Sequence, residues 1–162
     1  GLSWPLLVKY YGNRNLIANQ IYHVSMPKPF RLAEQYLIRA EAYCRKNDFT
    51  KAGNDLTALR KMRYASGGTL NVSKNNWLQT ISDERVRELY MEGFRLHDLK
   101  RWGKEYADLN GGYSIRRTPQ SCSQPEGSSL KITPDNPLFV WPIPQHELES
   151  PGSEILPNES NR

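Results

Sequence analysis

Residues 83–103 read DERVRELYMEGFRLHDLKRWG, and this stretch decides what kind of fold the chain adopts. Acidic and basic side chains alternate along it, while large apolar residues recur at the three- and four-residue spacing of an amphipathic helix. The helical pattern already begins at Trp77, and Gly93 interrupts it. The stretch therefore predicts one helix from Trp77 to the glycine and a helical continuation from Phe94 as far as Gly103.

One charged residue falls on the apolar side of this predicted helix. Arg85 lies on the line of Ile81 and Leu89, so its guanidinium must be paired or must extend outward to water. Three carboxylates of the stretch can pair with it: Glu88, Glu92 and Asp98. The charges are therefore interpreted as contacts that hold the helix against its continuation and against the helices that precede it.

A further helix pair is predicted before this stretch. Apolar residues recur helically over residues 32–44 and again over 49–62, with Asp48 as the cap between the two runs and Gly67 at the end. The connection is short, so the two helices should be antiparallel. Large and small side chains alternate around it as in one tetratricopeptide repeat, except that Arg39 stands where such repeats carry an apolar residue.

The rest of the chain is predicted to be largely irregular, because Gly, Pro and Ser punctuate it. Residues 138–141 read as an extended apolar segment, and the polar tail after Pro151 as frayed. Short strands are possible at residues 6–11, 21–24, 113–116 and 130–133. The expected fold is mainly α, a single domain over residues 1–162 with a tetratricopeptide-like helix pair, further helices, extensive irregular loops and a few short strands.

Composition narrows the class of protein. The chain has 162 residues and a formal net charge of +5, but acids and bases alternate, which favours a solvated mixed-charge surface over a nucleic-acid interface. No apolar run is long enough to cross a membrane. Cys44 and Cys122 are too few for a disulfide framework or a metal site, and either one bridge or two free thiols is compatible with the sequence.

The charged stretch contains carboxylates at a spacing that is compatible with catalysis. Glu84, Glu88 and Glu92 stand four residues apart on one helical face, so two of them could serve as general acid and base for glycoside hydrolysis. Each has an arginine within three residues, however, and such pairing keeps carboxylates ionised, whereas an acid catalyst needs a raised pKa. The pairs expected from spacing are Glu84 with Arg87, Arg85 with Glu88 and Glu92 with Arg95. No catalytic residue is predicted.

Metal and cofactor sites are not predicted either. His97 and Asp98 adjoin each other, but the remaining histidines are remote in sequence and lack ligand spacing, so a structural role is favoured. Phosphate-loop and dinucleotide-binding motifs are absent, so no cofactor is expected. Trp102 follows two basic residues, which is compatible with nucleic-acid stacking, but its helical spacing from Leu99 favours the core.

Three segments, taken in order, resemble the SusD/RagB family. They are RLAEQYLIRAEAY at residues 31–43, ERxxELxxEGxRxxDLxRWG at 84–103 and PIPxxEL at 142–148. The resemblance implies an α-helical fold with tetratricopeptide-like repeats and irregular loops. It also implies a lipoprotein on the outer face of a Gram-negative outer membrane, which binds oligosaccharides or peptides without cleaving them and passes them to a TonB-dependent, SusC-like transporter.

The chain departs from this family in length and in its ends. Family members are longer, with more repeats ahead of this region, a signal peptide and a lipidated cysteine, so the chain is expected to be the C-terminal part of such a protein. The sequence ESPG at residues 149–152 also replaces the family's usual closing run.

The resemblance brings no motif-matched ligand residue to this chain, so glycan-binding candidates come from chemistry alone. Aromatic rings in loops can stack on sugars, although local packing is the alternative for each. The candidates are Trp4, Tyr10, Tyr11 and Tyr113. Glycan binding is thus the leading hypothesis. The alternatives are a tetratricopeptide-type peptide-interaction module, whose groove would include Arg39, and a glycosidase that depends on Glu84 or Glu88.

Overall fold

The computed structural model describes residues 9, 14–21, 28–66, 68–116 and 131–161, and it divides the chain into two compact units, Gly1–Leu32 and Ala33–Arg162. Among the described residues before residue 32, the first unit contains the one-turn helix α1 (Arg14–Ile17). The sequence predicted an irregular segment there. Most of the predicted strands at 6–11 and 21–24 lies outside the described residues.

The predicted helix pair is present as α2 (Leu32–Arg45) and α3 (Phe49–Lys61). Arg39 of α2 contacts Asp55 of α3, and Tyr43, one turn later in α2, contacts Lys51, one turn earlier in α3. The helices are therefore antiparallel, as predicted. Asp48 caps α3, and its side chain accepts a hydrogen bond from the backbone N–H of Lys51 at 3.2 Å.

The end of the second predicted helix was placed too late. The helix α3 ends at Lys61, and residues 62–66 form turns before the glycine pair is reached. Residues 68–76 then pass back along α3, where the backbone N–H of Leu70 donates to Thr57 Oγ1 at 3.1 Å.

The charged stretch forms α4 (Trp77–Glu88) and α5 (Phe94–Leu109). Gly93 separates them with a left-handed φ of 82°, which confirms the predicted interruption. The predicted end at Gly103 is wrong. Gly103 kinks α5 with φ 48° and ψ −124°, but helical residues resume and continue to Leu109, because Tyr106 beyond the kink is buried in the core.

One apolar cluster unites α2, α3, α4 and α5. Trp102 is 2% exposed within it, which confirms the prediction that this tryptophan is a core residue. Since α4 and α5 supply residues to the same cluster as the helix pair, they provide the neighbours that a lone repeat needs. Its buried members are Ala33, Leu37, Ala40, Cys44, Ala52, Leu56, Leu59, Leu78, Ile81, Leu89, Leu99, Trp102 and Tyr106.

The region after α5 contains short elements. Strands β1 (Ile115–Arg116) and β2 (Lys131–Ile132) pair antiparallel, which confirms strands at two predicted places. Residues 138–141 are not an extended run as predicted, because a 3₁₀ turn covers Pro137–Phe139, where Phe139 is buried. A four-residue helix α6 (Gln145–Leu148) follows the proline motif, and a second 3₁₀ turn covers Glu159–Asn161.

The C-terminal tail is attached to the preceding turn, contrary to the prediction that it frays. Asn158 Nδ2 donates a hydrogen bond to the backbone oxygen of Trp141 at 2.8 Å. The Ser160 hydroxyl contacts the carbonyl oxygens of Pro137 and Val140. These polar contacts link distant positions of the chain, so local composition does not reveal them.

Candidate functional site

The glutamates of the charged stretch are occupied by arginines. Glu84 accepts from Arg60 Nε at 3.0 Å and from Arg87 Nη1 at 2.5 Å, so the predicted pair with Arg87 is confirmed. Arg63 binds both oxygens of Glu88, at 2.9 and 3.0 Å. Because Arg60 and Arg63 come from outside α4, the two carboxylates join α4 to the end of α3 and to the turn that follows it.

Arg85 takes the third of its three predicted partners. Its Nε donates to Asp98 Oδ2 at 2.7 Å, and the side chains of this pair are only 5% and 4% exposed. The expectation from spacing that Arg85 pairs with Glu88 is wrong, because Glu88 faces Arg63 instead. Asp98 also contacts Arg101 at 3.2 Å, and the His97 side chain is exposed, so these adjacent residues form no catalytic dyad.

Glu41 is a buried carboxylate that three other side chains contact, and the sequence interpretation missed it. It is 5% exposed and accepts from Arg101 Nη1 at 2.5 Å, Trp102 Nε1 at 3.0 Å and Arg45 Nε at 3.3 Å. Burial acts to raise the pKa of Glu41, but the hydrogen bonds from Arg101 and Trp102 outweigh it, so this pKa is lowered. Its position four residues after Leu37, on the buried line of α2, was the available signal.

Cysteine and metal chemistry have little support at the described residues. Cys44 is a free, buried thiol whose pKa is raised to about 11 by burial, so it is a poor nucleophile. Cys122 lies outside the described residues. Within the described ranges, no group of three or more His, Cys, Asp or Glu side chains is placed to hold a metal ion, and no helix is long and apolar enough to cross a membrane.

The described residues of the second unit line at least two clefts. The first, of about 530 Å³, lies where α4 passes into α5. Exposed apolar side chains surround it, and the Arg85–Asp98 pair belongs to its wall. We name it the apolar cleft, lined by Arg85, Val86, Leu89, Tyr90, Met91, Gly93, Phe94, Arg95, Leu96 and Asp98.

The second cleft, of about 560 Å³, lies between α5 and β1. Its walls combine arginine, amide, hydroxyl and aromatic side chains with a few apolar ones. We name it the basic cleft, lined by Arg95, Leu96, Leu99, Tyr106, Asn110, Tyr113, Ser114, Ile115 and Arg116.

The structure places one of the four predicted glycan-binding candidates in a cleft. Tyr113 is partly buried in the wall of the basic cleft, and Lys131 Nζ lies 5.4 Å from its ring centroid. Trp4, Tyr10 and Tyr11 lie outside the described residues. The polar neighbours of Tyr113 in the cleft were not predicted, since Arg95 comes from the first turn of α5, Asn110 from its end and Arg116 from β1.

Comparison with known proteins adds evidence of kinship. A family model described as the SusD family matches residues 3–153 of this chain. The starch-binding protein SusD of Bacteroides thetaiotaomicron is 42% identical over 103 residues, which make up 64% of this chain and 18% of that protein. The matched region thus spans less than a fifth of this relative's length. No solved structure was found to match the chain.

Proposed function

This chain belongs to the SusD family, and from that premise we propose that the full-length protein binds carbohydrate at the cell surface for uptake. The observation that carries the proposal is the family match over residues 3–153, together with 42% identity to a starch-binding protein. The test is calorimetric titration of the full-length protein with a panel of oligosaccharides. Binding without release of shorter products is expected, and cleavage of any bound oligosaccharide would contradict the proposal.

We propose that the chain acts by binding and performs no catalysis. Support comes from the charged stretch, whose carboxylates at Glu84, Glu88 and Asp98 are all paired with arginines. A glycosidase would lose its activity on Glu84→Gln or Glu88→Gln. We expect instead that both variants lower the melting temperature and leave carbohydrate affinity unchanged.

We also propose that residues 1–162 form a single domain, which is the C-terminal part of a longer protein. The length of the relative supports this, since the aligned region covers 18% of it. Reading the gene upstream of the codon for Gly1 tests the proposal. Further helical repeats behind a signal peptide and a lipidation cysteine are expected, and a start codon just ahead of Gly1 would contradict it.

The proposed partners are an outer membrane, reached through a lipid anchor on the preceding part, and a SusC-like TonB-dependent transporter. Family membership supports both. Protease treatment of intact cells should remove the protein if it is surface-exposed, whereas a periplasmic protein would survive. Affinity purification of the tagged full-length protein in mild detergent should recover a TonB-dependent transporter as a stoichiometric partner.

A peptide-interaction role is a second candidate, favoured by the apolar cleft. Tyr90 and Met91 are 53% and 67% exposed at its rim, as anchor sites for apolar peptide side chains would be. Arg39→Glu is a poor probe of this role, because it would place a second carboxylate beside Asp55. Met91→Lys is a more specific probe, because it places a charge at the rim of the apolar cleft. It should abolish peptide capture and spare sugar binding if this candidate is correct.

A further inference from the structure

We propose that the basic cleft binds a sugar residue that carries an anionic group, either a carboxylate or a sulfate. This rests on the proposed function, because it assumes that carbohydrate is the ligand. It adds the charge class of the ligand and assigns a binding site to this part of the protein.

The charge of the cleft is the first reason. Two arginines, Arg95 and Arg116, line it, and none of its described lining residues is an aspartate or a glutamate. Arg95 donates to Ser82 Oγ and to Tyr106 Oη, both at 2.8 Å. These partners are neutral, so they hold the guanidinium in position without cancelling its charge. Cationic groups in a concave wall focus the field and attract anions.

The pairing of the two short strands is the second reason. In the antiparallel register Arg116 lies directly opposite Lys131, which places two cations side by side on the ladder. Like charges at opposed positions destabilise a sheet. Within the part of the chain that the structure describes, neither side chain has an ion-pair partner. An anion between them would remove the repulsion and form charge-assisted hydrogen bonds.

Groups suited to a sugar ring surround these cations. Tyr113 offers an aromatic ring, and Asn110 Nδ2 is held by the backbone oxygen of Tyr106 at 2.9 Å, which orients its amide in the wall. Ser114 is only 3% exposed, and its hydroxyl has no hydrogen-bond partner among the described residues. An aromatic ring beside an oriented amide in a concave wall suits a sugar ring and its hydroxyl groups.

The apolar cleft lacks this combination. The apolar cleft shares Arg95 with the basic cleft, but its other guanidinium, from Arg85, is bonded to its own carboxylate, Asp98. Its rim is formed by apolar side chains. An anionic sugar there would compete with an existing ion pair, whereas the basic cleft presents cations that no carboxylate of its wall neutralises. The charges of the two clefts therefore favour the basic cleft as the site for an anionic sugar.

Matched ligands test the charge class. The full-length protein is titrated with oligogalacturonate and with the same oligosaccharide after methyl esterification, and with a carrageenan oligosaccharide, which is sulfated but has no carboxylate, and its desulfated form. At low salt we expect one acidic ligand to bind about tenfold or more tightly than its neutral counterpart, the value of a hydrogen bond to a charged group. Added NaCl should weaken it. Equal affinity within both pairs, or no binding of either acidic ligand, would overturn the proposal.

Matched variants test the location. Arg116→Gln and Lys131→Gln should each weaken acidic-sugar binding by about tenfold to a hundredfold. Lys74→Gln removes the same charge from an exposed position in the loop before α4 and should change nothing. Unaltered affinity in Arg116→Gln would overturn the site. If neutral oligosaccharides bind and charge has no effect, only this inference fails. If no carbohydrate binds at all, the proposed function fails with it.

Discussion

Arg85 and Asp98 form a buried ion pair, with 2.7 Å between Nε and Oδ2 and exposures of 5% and 4%, that joins α4 to α5 across the Gly93 break. The pair lies beneath the apolar cleft and beside the core residue Leu89. Its partners are thirteen positions apart in sequence. The geometry of the turn at residues 89–93 thus decides which carboxylate meets the arginine.

Removal of one partner of this pair should be severe. Asp98→Ala leaves the Arg85 guanidinium buried without its counter-ion, and we expect a loss of about 3–5 kcal/mol in the free energy of unfolding. Urea denaturation measures it. The double variant Arg85→Met with Asp98→Leu removes both charges together and should recover most of the loss. If the double variant were as unstable as Asp98→Ala, the unpaired charge would not be the cause.

Glu41 should make stability depend on acid pH. Because its pKa is lowered in the fold, its contribution is complete above the ordinary value of 4.5 and is lost as the pH falls through the folded value. At pH 7, Glu41→Gln should cost about 2 kcal/mol, the value of hydrogen bonds to a charged group. Thermal melts from pH 7 to pH 3 should show the wild type converging on the variant. A constant gap would contradict the assignment.

Cys44 should resist alkylation while the protein is folded. The thiolate is the reactive form, and a pKa of about 11 leaves roughly one thiol in a thousand ionised at pH 8. Iodoacetamide labelling is followed by mass spectrometry in a Cys122→Ser background, so that one thiol is measured. Labelling should be slow in buffer and should accelerate sharply in denaturant. Rapid labelling in buffer would show that Cys44 is accessible.

Gly93 should tolerate no side chain without strain. Its φ is 82°, and the space around it is open, so Gly93→Ala meets no clash but must adopt a left-handed backbone. We expect a loss of about 1–2 kcal/mol. Gly68→Ala is the matched control, because Gly68 also has open space but no positive φ. Its stability should be unchanged or slightly raised. Equal effects at both positions would contradict the conformational explanation.

Local periodicity was sufficient for the helices. The apolar spacing over residues 32–44 and 49–62 and the cap at Asp48 gave the correct antiparallel pair, and Gly93 was correctly placed between two helices. Two of the errors share one origin. The kinked helix beyond Gly103 is retained because Tyr106 is buried, and the tail after residue 151 is held by bonds to residues 137–141. Both depend on contacts between positions far apart in sequence.

The candidate site was only partly predictable for the same reason. Tyr113 could be proposed from its residue type, but its place in one cleft wall with Arg95 and Arg116 depends on how α5 and β1 come together. The sequence likewise offered three possible partners for Arg85, among them Asp98, and could not distinguish between them. Backbone periodicity is a local property, so the order of residues alone specified the helices and the family. Side-chain charges act through space, so the choice of partners and the shape of the clefts arose only when the helices packed together.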